Sequence, residues 1–285
     1  MSLRILPLFL ALAVVLLPWA ALAQGASNAP SGAAAAQTDE PDADGNLRLS
    51  QPDFTVITLP TTLRVPRFKS AFRVTHRFGR PLGQGDFGNL VEDLFGLDSG
   101  ALIGLEYRFG LARGWQAGIY RTSDRTIQFF TQYNLWQQTD KPIGLSVIAS
   151  AEGTNNFRDS YSPSLGVVVS RELGERGAVY FQPIWVNNTN PLPSEVVDDN
   201  DTVLLGLGAR IRVRPTVYLV GEVIPGVGNS PGVTQGSFGI EKRAGGHTFQ
   251  LNFSNGAGTT IGQVARGGTA SDDWYLGFHI SRKFF

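Results

Sequence analysis

The chain has 285 residues, with 24 basic and 24 acidic side chains, 34 glycines and no cysteine. This balance of charge, without a polybasic run, argues against nucleic acid or an anionic surface as a partner. Because cysteine is absent, a disulfide framework and a lipid-modified N-terminal cysteine are both excluded.

The N-terminus carries the pattern of a secretory signal peptide over residues 1–23. Arg4 precedes an apolar stretch, and Ala21-Leu22-Ala23 forms a cleavage site before Gln24. The alternative reading, a membrane anchor, is disfavoured because no charged stop-transfer sequence follows. We therefore expect an exported protein.

The next segment, residues 24–53, is small, acidic and proline-rich, and is predicted to be a disordered linker. Residues 54–65 are predicted to form a periplasmic arm, an additional strand or a plug, and the sequence leaves these alternatives open. The remaining residues, 66–285, have the length of one all-β domain.

From residue 66 onward, apolar and polar side chains alternate with a period of two, which is typical of half-buried strands. The clearest case is the segment 202–213, where aliphatic residues oppose glycine and arginine. In the weakest strand, Glu222 is assigned to the inward face because a charge in lipid is costly. Twelve strands are predicted, at 66–79, 100–109, 114–122, 125–136, 142–152, 162–172, 177–187, 202–213, 215–225, 233–243, 246–254 and 272–284.

The connections between these strands alternate between tight turns and long loops, with residues 123–124 as the exception. This alternation is typical of outer-membrane barrels, whose short turns are periplasmic and whose long loops are extracellular. An even number of strands lets the sheet close without a free edge, as the hydrocarbon region demands. We predict a transmembrane antiparallel β-barrel of twelve strands with both termini in the periplasm.

A secreted β-sandwich or a lipocalin-like barrel is the alternative. Two features count against it: the polar faces are rich in Gly, Gln, Asn and Arg, and aromatic residues lie near the strand ends, where interfacial girdles form. The chain ends in WYLGFHISRKFF, whose apolar series steps back from Phe284 and leaves Phe285 as an extra residue. We expect this strand to close the barrel and to be recognised by the barrel-assembly machinery.

Four segments give the sequence a family resemblance: RVTHRFGR (73–80), NLVEDLFGLDSGALIGLEYRFG (89–110), GGHTFQLNFSNGAG (245–258) and GFHISRKFF (277–285). With their spacing they are similar to a family of bacterial outer-membrane β-barrel proteins of unknown function. The resemblance implies location in the outer membrane of a Gram-negative bacterium and a monomeric barrel. It implies no activity.

Charged residues on the predicted inward faces are the candidate lumen-lining residues. The five arginines would bias a narrow channel toward anionic solutes. Alternatively, arginine and glutamate pair across strands and fill the lumen, and the predicted barrel size does not decide between these readings. The eight candidates are Arg73, Arg77, Glu106, Arg108, Arg210, Arg212, Glu222 and Glu241.

No pattern in the sequence predicts catalysis. His76, His247 and His279 lack metal-ligand spacing, and Ser70 is too far from His76 along a strand to form a dyad. In the loop 83–100, a short helix capped by Asn89 is predicted. We expect no enzymatic activity, no catalytic or metal-binding residues and no cofactor.

The leading hypothesis is therefore a narrow diffusion channel for small solutes, with an anionic preference set by the arginines. The alternative is a closed structural or docking barrel whose extracellular loops bind a ligand or partner. The expected partners are outer-membrane lipid and lipopolysaccharide, the barrel-assembly machinery and a small solute, without nucleic acid.

Overall fold

The computed structural model describes residues 48–93, 100–139, 141–190, 200–228 and 233–285. The predicted signal peptide and residues 24–47 of the predicted linker lie outside the described residues. One antiparallel sheet contains all the strands. They are β1 (Ser70–Pro81), β2 (Ala101–Ala112), β3 (Trp115–Thr122), β4 (Ile127–Trp136), β5 (Gly144–Gly153), β6 (Asp159–Glu172), β7 (Gly177–Val186), β8 (Thr202–Arg214), β9 (Val217–Ile224), β10 (Gly226–Gly228), β11 (Gln235–Ala244), β12 (His247–Ser254) and β13 (Tyr275–Lys283).

The sheet closes on itself, because β13 pairs with β1 and, when the short β10 is set aside, each strand pairs with its neighbours in chain order. Strand β10 continues β9 beyond Pro225 and pairs with the same partner, β8. The wall is therefore a closed cylinder of twelve strands, which confirms the predicted fold. Even the weakest predicted strand, 215–225, is present as β9.

The burial of side chains along the strands shows which face of the sheet lies on the outside of the barrel. In β8, Leu204 and Arg210 are buried, whereas Val203 and Ile211 are exposed. The same alternation places Tyr107, Phe129 and Leu251 on the outer surface, each more than two-fifths exposed. The outer face is apolar and the inner face is polar, which is the arrangement of a membrane barrel rather than of a soluble one. No helix among the described residues is long and apolar enough to span a membrane.

The described connections contain short helical segments. Thr154–Phe157 forms one irregular turn with positive φ at Asn155 and Asn156, Gly174–Arg176 forms a 3₁₀ turn, and two regular α-helices lie in long loops. Helix α1 (Phe87–Glu92) begins after Asp86, whose side chain accepts a hydrogen bond from the Asn89 backbone N–H. The predicted cap, Asn89, instead lies at the third helical position, where its side-chain Oδ1 accepts a hydrogen bond from the Asp86 backbone N–H, so that Asp86 and Asn89 form a capping box. Helix α2 (Ile261–Ala265) has the same type of box, made by Thr260 and Gln263.

Residues 48–65 lie inside the barrel, and we call this segment the plug. Gln51, Asp53 and Ile57 are each at most 6% exposed. The predicted linker boundary at residue 53 therefore differs from the structure, in which residues 48–53 belong to the packed interior. The difference arises because these residues are held by side chains of the wall, which a compositional reading of the segment does not take into account.

Candidate functional site

The plug enters and leaves the barrel at the end that carries the short turns. Arg48 donates to Glu172 at the end of β6 (2.5 Å), and Val65 N–H donates to Gln116 Oε1 near the start of β3 (2.9 Å). Between these points the chain folds back on itself, because Val56 N–H donates to Leu59 O and Thr61 N–H donates to Phe54 O. The tip of the plug is therefore Val56–Leu59, deep in the lumen.

The tip holds the carboxylate of Glu222, from β9. The backbone N–H groups of Ile57, Thr58 and Leu59 donate to Glu222 at 3.0–3.1 Å, and the Thr58 hydroxyl donates at 2.5 Å. Successive N–H groups converging on one anion form a strong site, since each hydrogen bond is charge-assisted. Glu222 is thus the main anchor of the tip.

Side chains of the wall also hold the carbonyl groups of the plug. Seven plug carbonyls accept hydrogen bonds from side chains on six strands. The distances run from 2.6 Å for Gln182 on Pro60 to 3.3 Å for Arg73 on Ile57. The other donors are Gln116, Gln132, Asn134, Arg210 and Gln250, which bind the carbonyls of Leu63, Thr61, Thr62, Thr55 and Val56, respectively.

Apolar contacts with the wall also hold the plug. Val56 and Ile57 pack against Tyr180 and Val220, and Leu59 packs in a second cluster with Ile184 and Leu204 of the wall. Glycines make the second contact possible: a Cβ on Gly206 would lie 2.7 Å from Leu59 Cδ2. The glycines on the inward face of β8 therefore leave room for the plug.

A loop fills the lumen from the opposite end. The buried carboxylate of Glu152 accepts hydrogen bonds from the Thr260 hydroxyl (2.5 Å) and from Gly262 N–H (3.1 Å), which fixes the start of α2. Val264 of α2 belongs to the same apolar cluster as Leu59 of the plug. Between the plug, the loop and the wall lies a cavity of about 30 Å³, bordered by Tyr120 and Phe130. That volume holds about one water molecule.

The candidate charged residues occupy four kinds of position. Glu106 pairs with both Arg73 and Arg108 (2.9 Å to Arg108), and Arg210 pairs with Glu241 (2.8 Å). All five are buried. Glu222 is buried on the plug tip, as described above.

The remaining two arginines differ from one another. Arg77 is 1% exposed and is in contact with the Tyr275 carbonyl at 3.4 Å; in the described part of the chain it has no carboxylate partner within ion-pair distance, and its Nε and Nη2 have no hydrogen-bond partner. Arg212 lies at the short-turn end, where it contacts Glu175 at 3.1 Å and is more exposed. The structure therefore brings seven of the eight candidates into the interior and leaves Arg212 at its mouth.

Asp53 is the one acidic residue that the plug itself contributes to the interior. Its carboxylate accepts a hydrogen bond from Ser281 (2.6 Å) and lies 3.6 Å from Lys283 Nζ. Burial alone would raise the pKa of Asp53, but Lys283, Ser281 and Arg210 together hold it below its usual value. This contribution to docking is present above the ordinary carboxyl pKa and is lost as the pH falls through the lowered value.

The amides that hold the plug were not singled out by the sequence analysis. Gln116, Gln132, Asn134, Gln182 and Gln250 all occupy inward positions of strands, where a buried neutral amide is uncommon unless it has a partner. Their recurrence on the polar face of the strands was the feature of the sequence that could have identified them. A partner inside the barrel could have been inferred from it.

The three histidines do not converge. His76 faces outward and stacks on Phe278, His247 contacts Arg282, and His279 is buried in the interior. Within the described ranges, no group of three or more His, Cys, Asp or Glu residues is arranged to hold a metal ion.

Comparisons with known proteins give structural neighbours and a family. No curated protein matches the sequence. The NanC porin is 9% identical with a TM-score of 0.49, over 76% of this chain and 99% of that one. An outer membrane channel from Pseudomonas putida F1 is 13% identical with a TM-score of 0.42, over 78% and 97% of the two chains. The outer membrane channel DcaP of Acinetobacter baumannii is 8% identical with a TM-score of 0.35, over 65% and 63%.

The family model described as "Membrane bound beta barrel domain (DUF5777)" matches residues 53–284, a range that includes most of the plug as well as the whole wall. The chain therefore belongs to this family of membrane-bound β-barrel domains.

Proposed function

We propose that the protein is an outer-membrane channel for small solutes, closed in this conformation by its own plug. The observation that supports the proposal most is how the plug is held. Among the described residues, no backbone hydrogen bond joins residues 48–65 to a strand of the wall. Every wall strand keeps both of its neighbours when the plug is removed, so the plug can leave without opening the cylinder.

The proposed orientation follows from the two ends of the barrel. The signal-like N-terminus favours export, and short turns are periplasmic in barrels of this kind. The plug then enters from the periplasm, and the loop that carries α2 closes the lumen from outside. Both termini are periplasmic in this arrangement.

The preference for anions follows from the charges that remain after the plug leaves. Among the buried side chains of the described wall strands, six basic ones (Arg73, Arg77, Arg80, Arg108, Arg210 and Lys283) face four acidic ones (Glu106, Glu152, Glu222 and Glu241), because Asp53 departs with the plug. A net fixed charge of +2 raises the local concentration of anions in a narrow, low-dielectric passage. No enzymatic step is part of this proposal.

A second candidate function is a barrel that stays closed and whose loops bind a partner. The filling of the lumen from both ends favours it, because Leu59 of the plug and Val264 of the loop meet in one apolar cluster. The two candidates differ in whether the plug moves, so a reversible lock on the plug separates them.

Such a lock can be built because the chain has no cysteine of its own. The hydroxyls of Thr62 in the plug and Ser170 in β6 are 2.5 Å apart, so the variant T62C/S170C places two thiols within disulfide reach. Single-channel current is recorded across a planar bilayer in asymmetric KCl. Current steps are expected after reduction and not after oxidation, with a reversal potential toward chloride.

The matched control is S150C/S164C, whose hydroxyls are 2.6 Å apart on the paired strands β5 and β6. This disulfide joins wall to wall, so the current is expected to be the same in both redox states. Silence of the reduced T62C/S170C protein, folded as judged by heat-modifiable migration, would overturn the channel and favour the closed barrel.

A further inference from the structure

We propose that the solutes of this channel are short peptides that carry a carboxylate, and that the plug occupies the site they use. The inference rests on the proposed function, because it assigns a solute class to the same lumen. It is carried by what the wall recognises in the plug.

The wall binds mainly the backbone of the plug. Seven carbonyls accept from wall side chains, and three consecutive N–H groups donate to Glu222. Carbonyl and N–H groups are common to all peptides, so these contacts do not depend on the sequence that is bound. A wall lined with side-chain amides can therefore accept peptides of many sequences.

Two further contacts narrow the class of ligand. Ser281 and Lys283 bind the carboxylate of Asp53, which gives the site one position for an acidic group. The tip residues Ile57 and Leu59 are buried in apolar clusters, which gives the site positions for aliphatic side chains beyond the acidic one. The preferred ligand is a peptide with an acidic residue followed by aliphatic residues.

The same hydrogen bonds also satisfy a plug backbone that has no regular secondary structure of its own. A wall adapted only to that role would hold the tethered plug and would not bind a free peptide. The experiment therefore measures whether a peptide added in solution binds to the vacated wall.

The test uses the full chain carrying Ile57→Asp and Leu59→Asp, which keeps every side chain of the wall. Both positions are buried among apolar residues, so unpaired carboxylates there are strongly disfavoured and the plug is expelled. The probe is a synthetic peptide of residues 50–65, added on the side of the short turns. Reversible block of the current is expected, with a dissociation constant between about 1 µM and 1 mM, because the free peptide loses conformational entropy on binding.

Three comparisons decide what is recognised. A peptide of equal length with a different order of aliphatic residues, but with Asp at the same place, is expected to block within about tenfold of the native sequence. An oligogalacturonate of similar length and charge is expected to block far less. Replacing Gln132 and Gln250 by Leu is expected to weaken the binding of both peptides by about tenfold to thirtyfold, since each peptide loses two hydrogen bonds to the wall. Gln128→Leu is the matched control, because Gln128 binds Ile261 of the loop instead of the plug.

Block by the acidic oligosaccharide equal to that by the peptides would overturn the assignment, as would block by the native sequence alone.

Peptide binding is also measured by fluorescence polarisation on the detergent-solubilised chain, with oxidised T62C/S170C as the negative control. If the protein binds peptide but passes no current, the channel fails and the peptide site stands. If it conducts without binding peptide, only the peptide site fails. Should the Asp variant not fold, binding of labelled peptide to the wild-type chain replaces it, and the oxidised lock is expected to abolish that binding.

Discussion

The wall and the plug of this barrel are stabilised by different parts of the chain. In the wall, backbone hydrogen bonds join each strand to two neighbours, and side chains decide only which face meets lipid. In the plug, the backbone depends on individual side chains, such as Glu222 and Gln182, that belong to the wall. The wall should therefore tolerate most single substitutions, whereas one substitution at a contact can weaken the docking of the plug.

The largest difference between the wall and the plug is expected when each is deleted in turn. Deleting residues 48–65 is expected to leave a barrel that still migrates as a folded, heat-modifiable species, because no strand loses a partner. Deleting residues 247–254, which form β12, opens the sheet and exposes backbone groups to lipid, so no folded species is expected. Equal loss of folding in the two deletions would show that the plug is part of the wall's stability.

A single charged contact is the next test. Glu222→Gln removes the charge that four donors of the plug tip bind, at an expected cost to docking of about 2–3 kcal/mol. Hydrogen exchange at the amides of residues 57–59 is expected to accelerate by about 30- to 150-fold, while exchange in the wall strands stays unchanged. Glu175→Gln, at an exposed turn, is the control. Uniform acceleration in wall and plug would contradict a separately held plug.

A smaller effect is expected in ion selectivity, where a residue of the interior can be compared with one at the mouth. Arg77→Gln is expected to lower the net charge of the open lumen from +2 to +1 without leaving a carboxylate unpaired. The chloride preference, measured as reversal potential on the reduced T62C/S170C background, is expected to fall by about half. Arg212→Gln changes a mouth residue that is already paired with Glu175, so a much smaller shift is expected there. Equal shifts would place the selective region at the mouth.

The smallest effect is expected at the last residue. Phe285 packs against the cluster that contains Phe54, Leu63 and Val65 of the plug. Phe285→Ala is expected to weaken docking by about 1 kcal/mol through lost apolar contact, and to accelerate exchange of plug amides about fivefold. Phe284→Ala, on an outward side chain, is the control and should leave those amides unchanged.

The sequence predicted the wall far better than the interior. Alternation with a period of two is a local signal, and it located all twelve strands and the inward face of Glu222 without knowledge of their partners. The plug has no such period, because its conformation is set by contacts with residues distant in the chain, such as Gln132 and Gln250. For the same reason the pairing of Glu106 with two arginines and the isolation of Arg77 could not be read from spacing.

The contact of Phe285 and Lys283 with the plug has a consequence for the order of events during biogenesis. Asp53 and Phe54 of the plug are held by Lys283, at the end of the closing strand β13, and by Phe285, two residues further on. Because a chain is synthesised from its N-terminus, residues 53 and 54 exist before β13, and they cannot dock until β13 has paired with β1. The lumen is therefore sealed only in a completed barrel, and a docked plug reports that assembly has finished.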